Sequence, residues 1–384
     1  MTKKFDFAVI GAGVFGAWIA QYLLRSGASV ALADAYGAAN SRASSGGETR
    51  IIRMGYGPDE FYTRWAARSL PVWQEFFARI ERPLFHKTGV LWVSDDADGH
   101  LTGTLKVLDE AGVLCEKLTA EQIRQRFPQL SFPDATCGIY EPLSGVLMAR
   151  QSVQALVQDA VEHGLEFFSA SVLAPTSQEK LSAITTSAGD SIAAGTFVFA
   201  CGPWLPKLFP GLLSELIHPT RQEVFFLGVP PGNGRYGMPH MPAWLHHNHP
   251  DRVYALPDLE NRGFKVAFDV HGPAIDPDTA ERSTGQHSIE KLRSYLGLHV
   301  PGLKGAPLVE TRVCQYENTW NGDFLIDRHP EMENVWLVGG GSGHGFKHGP
   351  AVGEYVKAQI LDSQPPESRF LLAAKESRRK RTVY

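Results

Sequence analysis

The chain has 384 residues, of which 43% are hydrophobic and 20% are charged, and its formal net charge is −4. This composition is typical of a folded globular protein large enough for two lobes, and it excludes extensive disorder. The net charge provides no excess of positive charge for binding nucleic acid. No segment has the roughly 18 consecutive apolar residues of a membrane-spanning helix. We therefore expect no membrane partner. The 4 cysteines lack paired spacing, so we expect neither a zinc site nor a disulfide framework. The expected location is a reducing cytoplasm.

The N-terminal stretch "FAVIGAGVFGAWIAQYLLRSGASVALADA" predicts a strand, a glycine turn, a helix and a second strand. Gly11, Gly13 and Gly16 have GxGxxG spacing, and Asp34 closes the second strand. In such a unit the glycines permit a tight turn, a close backbone approach to a pyrophosphate and close helix packing. The helix N-terminus attracts phosphates, and Asp34 suits a ribose hydroxyl. The pattern therefore predicts a dinucleotide site.

Further elements follow in chain order. A helix is predicted in "PDEFYTRWAARSLPVWQEFFARI", with a kink or an early break at Pro71. The next expected elements are a strand in "TGVLWVS", a helix in "QSVQALVQDAVEHG" and a strand in "LEFFSASVLA". The apolar run "TFVFACGPW" predicts a buried parallel strand that ends at a ligand-facing turn. Two strands in "GDFLIDRHPEMENVWLVGGG" precede a glycine turn and a last helix.

Nucleotide-binding elements thus occur at the start, in the middle and at the end of the chain. We predict an α/β protein whose Rossmann-like nucleotide-binding domain is assembled from discontinuous segments, with an inserted α+β substrate domain built on a mixed sheet. The expected boundaries are 1–90, 148–212 and 312–384 for the nucleotide domain, and 91–147 and 213–311 for the substrate domain.

Four histidines in "HMPAWLHHNHP" invite a metal-binding interpretation: His240, His246, His247 and His249. Their spacing is irregular, proline interrupts it, and no cysteine or acidic residue has ligand spacing. We therefore expect a solvated or lid loop and no metal. The basic C-terminal stretch "KESRRKRTVY" is interpreted as a solvated tail rather than a binding arm.

The glycine fingerprint does not distinguish a nicotinamide enzyme from a flavoenzyme, but the rest of the chain does. It resembles the monomeric sarcosine oxidase and N-methyl amino acid oxidase group of the D-amino-acid-oxidase-like FAD enzymes. The resemblance spans nearly the whole chain, in family order, through "VIGAGVFG", "GETRIIRMGYG", "TGVLWV", "IYEPLSGVL", "ACGPW", "TRVCQY", "DFLIDRHPE" and "GSGHGFK". It implies that the dinucleotide is FAD.

The resemblance also implies that Cys314 forms a thioether to the methyl carbon on the benzenoid ring of the flavin. A cysteine near a cation such as Arg312 has its nucleophilic thiolate favoured, although a lone cysteine is otherwise a small buried hydrophobe. Ser45 and Gly46 stand where the family often carries two histidines, and Arg50 matches an arginine that lies against the flavin ring. The full set of expected cofactor-binding residues is Gly11, Ala12, Gly13, Val14, Phe15, Gly16, Asp34, Ala35, Arg42, Ser44, Arg50, Val172, Gly202, Cys314, Gly341, Gly343, His344, Gly345, Phe346 and Lys347.

On the substrate side, Arg53 and Lys347 match the family's carboxylate-binding pair, since two cations give charge-assisted hydrogen bonds to an anion. As isolated residues, both would be surface charges. Lys265 matches a lysine near flavin N5 that stabilises superoxide as dioxygen is reduced. The alternative interpretation is a strand lysine whose side chain faces outward. The resemblance thus implies a catalytic set of Lys265, Arg53, Lys347, Arg50, Tyr254, Asp269 and Tyr316.

Asp269 replaces a histidine that relatives acting on sarcosine carry. A carboxylate there favours a cationic amine or a substrate with an additional donor, so sarcosine is not expected to be the best substrate. Tyr254 and Tyr316 match aromatic positions of the pocket, or are simply packed with their hydroxyls satisfied.

The resemblance implies a monomeric FAD-dependent amine oxidase. It would oxidise the C–N bond of an N-alkyl or cyclic secondary amino acid to an imine and reduce dioxygen to hydrogen peroxide. Two alternatives stay open: a dehydrogenase of similar fold that uses a non-oxygen acceptor, and a non-catalytic flavin-binding subunit or sensor. Arg53, Lys265 and Lys347 together argue against the sensor, because binding alone has no use for all three.

Overall fold

A computed structural model describes residues 3–176 and 179–375. The expected solvated tail lies outside these residues except for Lys375. The strands are β1 Lys4–Ile10, β2 Val30–Asp34, β3 Arg50–Ile52, β4 Phe85–His86, β5 Val90–Ser94, β6 Glu116–Thr119, β7 Cys137–Glu141, β8 Gly145–Leu147, β9 Glu166–Ser169, β10 Ala183–Thr185, β11 Ser191–Phe199, β12 Ile217–Leu227, β13 Ala243–His246, β14 Val253–Leu256, β15 Phe264–Phe268, β16 Leu308–Thr319, β17 Leu325–Arg328 and β18 Val335–Gly339. The helices are α1 Val14–Arg25, α2 Glu60–Arg79, α3 His100–Glu110, α4 Ala120–Arg126, α5 Ala149–Glu162, α6 Leu205–Leu208, α7 Pro210–Leu213, α8 Gln286–His299 and α9 Gly349–Leu361.

The first sheet has the order β17-β18-β11-β1-β2-β9, with β10 paired to β11. Its central strands β18, β11, β1, β2 and β9 run parallel, whereas β17 and β10 are antiparallel additions. Helices α1, α5 and α9 pack together beside it. The central strands are almost continuously apolar, because a parallel sheet in an α/β protein is covered on both faces.

The second sheet has the order β16-β12-β15-β14-β13-β5-β7-β6. All its pairs are antiparallel except β13 with β5, so it is a mixed sheet. A separate hydrophobic core lies between this sheet and α8, around Trp244, Phe264 and Leu292. Strand β16 begins at Leu308, before the boundary expected at residue 312. The division into two domains therefore stays a prediction, although each sheet is built mostly from the segments expected for it.

Three local expectations are wrong. Helix α2 does not break early at Pro71 but continues to Arg79, with Pro71 on its exposed side; a kink at Pro71 stays a prediction. Val172 lies beyond the end of β9 and forms only an isolated bridge with Thr186. The expected solvated or lid loop is partly strand β13, and His246 is fully buried. Among the described residues, no helix is long and apolar enough to cross a membrane.

Candidate functional site

A deep cleft opens at the carboxyl ends of β1, β2, β11 and β18, where ligands bind in open parallel sheets. The cleft has a volume of about 330 Å³. Most of the expected cofactor-binding residues line it: Gly11, Gly13, Val14, Phe15, Asp34, Ala35, Ser44, Arg50, Val172, Gly202, Gly341, Gly343, Gly345 and Phe346. Of the residues expected to be catalytic, Arg50 and Tyr316 also line it.

The glycine turn between β1 and α1 is closely packed against the backbone. Gly11 has a φ of 101°, and a Cβ there would lie 2.4 Å from the carbonyl oxygen of Ala200. A Cβ on Gly16 would lie 1.8 Å from the carbonyl oxygen of Gly11. Gly13 is the N-cap of α1. Only glycine meets these constraints, so the helix N-terminus is held facing the cleft as a phosphate site requires.

Backbone N–H groups hold the side chain of Asp34 in position. Its carboxylate accepts hydrogen bonds from the backbone N–H of Ala12 at 2.8 Å and of Tyr36 at 2.9 Å. Burial raises the pKa of Asp34, and these N–H groups oppose the rise. The carboxylate is thus oriented at the edge of the cleft, where a ribose hydroxyl can reach it.

The two positions without the family's histidines have their own structural roles. The Ser45 hydroxyl accepts a hydrogen bond of 3.0 Å from the backbone N–H of Val14, in the first turn of α1. A Cβ on Gly46 would lie 1.9 Å from the carbonyl oxygen of Asn40. No side chain fits at Gly46 without moving this loop, so the absence of a histidine there is built into the backbone.

Cys314 lies on β16 with its Sγ 3.6 Å from Nη2 of Arg50. The same Nη2 donates to the carbonyl of Ser44 at 2.5 Å, which holds the guanidinium in place. Arg312, the cation expected from the sequence to act on this cysteine, instead forms ion pairs with Glu48 and Glu310. Arg50, 264 residues away in the chain, is therefore the cation in contact with the Cys314 sulfur.

Lys265 is only 2% exposed, so the outward-facing alternative is wrong. Its Nζ donates to the carbonyl of Thr49 at 2.8 Å and lies 5.7 Å from the ring centre of Tyr254. Burial holds the pKa of Lys265 well below its ordinary value, and the Arg50 charge lowers it further. A nearby developing negative charge would stabilise its ammonium form.

Arg53 and Lys347 are 4% and 5% exposed, so neither is a surface charge, and both contact Tyr56. The Arg53 guanidinium is 4.6 Å from the Tyr56 ring centre, and Lys347 Nζ donates to the Tyr56 hydroxyl at 2.8 Å. Burial and then the charge of Arg53 hold the pKa of Lys347 well below its ordinary value. Two buried cations that share a contact residue would be stabilised by a bound anion.

Sequence reasoning missed Glu141, which organises the loop that follows Arg53. Its carboxylate accepts hydrogen bonds from the backbone N–H of Met54 at 2.8 Å and of Gly55 at 3.1 Å, and from Trp92 Nε1 at 3.1 Å. It is 1% exposed. The only signal was an acid inside the apolar "IYEPLSGVL" motif.

Asp269 is joined to the aromatic residues expected to line the pocket. The Tyr316 hydroxyl donates to Asp269 Oδ1 at 2.7 Å. Burial raises the pKa of Asp269 to about 6, although the hydrogen bond and the charges of Arg53 and Lys347 lower it. Burial also raises the pKa of Tyr254. This carboxyl group thus lies within electrostatic range of both buried cations.

Glu317 is a second acid that sequence reasoning missed. It lines the cleft, is 8% exposed, and its Oε2 has no hydrogen-bond partner among the described residues. Burial raises its pKa to about 7, opposed by backbone N–H groups of Gly341 and Gly340. A buried acid with one free oxygen suggests a missing polar ligand. Its position directly after Tyr316 carried no recognisable signal.

The remaining expected cofactor residues are not in the cleft lining. Ala12 and Gly16 lie beneath the turn, and the Arg42 side chain packs on Tyr36 at the surface. His344 is buried, with Nε2 3.0 Å from the carbonyl oxygen of Gly322. Cys314 and Lys347 also lie outside the lining, beside Arg50 and Tyr56 respectively.

A parallel sheet with this glycine turn and a cleft flanked by buried cations defines a dinucleotide-dependent redox enzyme. The chain belongs to the DAO family, described as FAD dependent oxidoreductase, whose model matches residues 6–359. It is 32% identical to a monomeric sarcosine oxidase from Bacillus sp. (strain NS-129), covering 96% of this chain and 95% of the relative. It is 29% identical to an N-methyl-L-tryptophan oxidase from Salmonella arizonae, covering 94% and 96%.

A crystal structure of L-proline dehydrogenase from P. horikoshii shares the fold, with a TM-score of 0.86 and 20% identity over 99% of this chain and 100% of that one. The expected fold class, the family and the FAD dependence are thereby confirmed. The cleft fits FAD on structural grounds as well, because its glycine turn leaves no room for side chains and Glu317 presents a free oxygen to it.

Proposed function

We propose that this FAD-dependent oxidoreductase oxidises the C–N bond of an N-alkyl or cyclic secondary amino acid to an imine and passes the electrons to dioxygen, giving hydrogen peroxide. The observation that carries the proposal is the pair of buried cations, Arg53 and Lys347, that both contact Tyr56. The curated relatives are named as oxidases of sarcosine and N-methyl-L-tryptophan, both of them secondary amino acids.

The pair suits a carboxylate for electrostatic reasons. Each cation loses hydration on burial, and the charge of Arg53 further lowers the pKa of Lys347. A substrate carboxylate would offset both effects and accept charge-assisted hydrogen bonds. Glu141 keeps the backbone after Arg53 in place.

Asp269 supports the amine half of the substrate. Its pKa of about 6 makes it largely ionised at neutral pH, and a carboxylate attracts a protonated secondary amine. Tyr316 orients this group by its hydrogen bond. The substrate would thus lie between an anion-binding pair and a cation-binding carboxylate, which matches the two charges of an amino acid and selects against uncharged amides.

Bound FAD supplies the two-electron redox chemistry. This chain holds the dinucleotide through the glycine turn and Asp34, and we propose that Cys314 attaches it covalently by a thioether. Arg50 lies 3.6 Å from the sulfur that would form this bond. Forming this C–S bond would release the thiol proton, one methyl proton and two electrons, and dioxygen would accept these to give hydrogen peroxide.

Lys265 is proposed to assist the reaction with dioxygen. Its buried Nζ, held by the Thr49 carbonyl, is a preorganised cation that favours negative charge developing on oxygen. We keep a dehydrogenase as the second candidate function, because Ser45 and Gly46 replace the histidines found in oxidases of the family. The fold match to an L-proline dehydrogenase is compatible with either acceptor.

The decisive experiment is an amine panel assayed first without air and then with it. Sarcosine, bulkier N-methyl amino acids, L-proline, pipecolate and carboxylate-free N-methylamines are each added anaerobically while flavin absorbance is followed. Bleaching by the amino acids but not by the simple amines supports the substrate class. Stoichiometric peroxide on admitting air supports the oxidase; reoxidation only by artificial acceptors supports the dehydrogenase.

A further inference from the structure

Three potential metal ligands converge in the second sheet's half of the molecule, away from the FAD cleft. They are Asp134, between α4 and β7, His246, the last residue of β13, and His299, the last residue of α8. One ligand atom from each lies within 4.8 Å of the others. His246 Nε2 lies 3.1 Å from Asp134 Oδ2.

The second ring nitrogen of each histidine has its own partner. His299 Nδ1 lies 2.8 Å from the carbonyl oxygen of Ser131. Since a carbonyl only accepts, Nδ1 carries the hydrogen and Nε2 keeps its lone pair. His246 Nδ1 lies 3.1 Å from the Tyr295 hydroxyl, which leaves Nε2 towards Asp134. Such outer partners fix the tautomer and the ring orientation of metal-binding histidines.

The environment also favours ligation. The side chain of His246 is fully buried and His299 is 3% exposed, whereas the Asp134 side chain is 44% exposed. The site therefore has a rigid inner wall and one open side for an ion and its water.

We propose that Asp134, His246 and His299 bind one divalent transition-metal ion, with Zn²⁺ as the preferred occupant and water completing a four-coordinate site. Two imidazoles and a carboxylate are a ligand set that zinc accepts. The ion would join the 131–136 loop to the ends of β13 and α8, so its role is to stabilise this half of the molecule. The site is independent of FAD and of the proposed amine oxidation.

The sequence could not indicate this site. Asp134 lies 112 positions from His246, and of the four histidines close together in "HMPAWLHHNHP" only His246 belongs to it. His247, its neighbour, points elsewhere and pairs with Asp98 at 2.9 Å. The expectation of no metal was based on local spacing, which the fold overrides.

The test uses the tag-free, FAD-containing full chain, stripped of metal by a chelator. Zn²⁺ affinity is measured by competition with a chromophoric chelator, and Co²⁺ is added separately to record its visible spectrum. Asp134→Asn and His299→Ala remove ligands; Asp134→Asn is isosteric and lies at the surface, so it should not disturb folding. His287→Ala, an exposed histidine on the same helix α8, is the matched control.

We expect one Zn²⁺ per chain in the wild type and in His287→Ala, with a rise in the melting temperature on adding Zn²⁺. Both ligand variants should bind at least about 10-fold more weakly, since losing even an outer partner costs about 10- to 100-fold. The intense Co²⁺ bands of a four-coordinate site should disappear in Asp134→Asn. An unchanged FAD spectrum in the variants shows that they are folded. Absence of stoichiometric wild-type binding, or equal affinity in Asp134→Asn, would overturn the proposal.

Discussion

The hydroxyl of Tyr316 donates a 2.7 Å hydrogen bond to Oδ1 of Asp269. Burial raises the pKa of this carboxyl group to about 6, and the Tyr316 hydrogen bond is the largest of the effects that lower it. The charge of Asp269 therefore changes within the ordinary assay range.

We expect amino acid binding to strengthen as pH rises through about 6. Above this pKa Asp269 is an anion that attracts the protonated amine; below it the group is neutral. Secondary amines stay protonated throughout, so the inflection belongs to the protein. Anaerobic titrations of the flavin spectrum between about pH 5 and pH 8 would measure it. Asp269→Asn should abolish the inflection, and Tyr316→Phe should move it to higher pH; an inflection that persists in Asp269→Asn contradicts the assignment.

The cation pair predicts a loss specific to carboxylates. Arg53→Ala or the length-preserving Lys347→Met should weaken amino acid binding by about 2 to 5 kcal/mol, because each removes one charge-assisted partner of a buried anion. Carboxylate-free N-methylamines serve as the chemical control and should lose far less. Equal losses for both substrate types would mean that these cations only support the fold.

Lys265 separates the two halves of the catalytic cycle. Lys265→Met should slow reoxidation by dioxygen by about 100- to 1000-fold, as loss of a preorganised electrostatic contact does. Anaerobic reduction by substrate should change little, and an artificial acceptor should partly restore turnover. Stopped-flow measurement of each step decides this, with Lys117→Met, an exposed lysine on β6, as control. Normal reoxidation in Lys265→Met would favour the dehydrogenase.

Covalent attachment can be tested by acid precipitation. The wild type should keep its yellow colour in the pellet, while Cys314→Ser should release FAD. Cys201 also lines the cleft, but burial raises the pKa of its thiol well above the ordinary value. Cys201→Ala should therefore retain FAD. Arg50→Met should slow attachment because it removes the cation 3.6 Å from the Cys314 sulfur. Complete release from the wild type would rule out the thioether and leave FAD binding intact.

Glu317 predicts a pH-dependent stability effect. Its folded pKa of about 7 exceeds the roughly 4.3 of an unfolded glutamate. The free energy of unfolding therefore falls as pH rises from the pKa of the unfolded state to the pKa of the folded state, by about 3 to 4 kcal/mol in total. Glu317→Gln should be more stable than the wild type at about pH 8, with most of that gain absent at about pH 5. Denaturant unfolding at both values measures this; a gain that does not depend on pH would show that the carboxyl charge is not responsible.

Much of the fold could be predicted from local motifs of this chain. The first βαβ unit was predictable because its constraints are local: Gly11 adopts a φ of 101°, and Gly16 touches the Gly11 carbonyl only five residues away. The apolar run of β11 likewise indicated a buried parallel strand, and two strands were expected where β17 and β18 lie. The site residues inferred by resemblance, such as Arg53 and Lys347, stay predictions, although the fold brings these two to the same tyrosine.

The tertiary structure decided which side chains contact and pair with one another. Arg312 neighbours Cys314 in sequence, yet its charge is paired with Glu48, and Arg50 reaches the sulfur from a different strand. Glu141, Glu317 and the Asp134–His246 pair likewise acquire their environments from distant segments. Local patterns specify backbone geometry and buried faces, because these depend on neighbours within a few residues. Charge pairing, desolvation and ligand convergence depend on which distant side chains meet, and only the packed fold determines that.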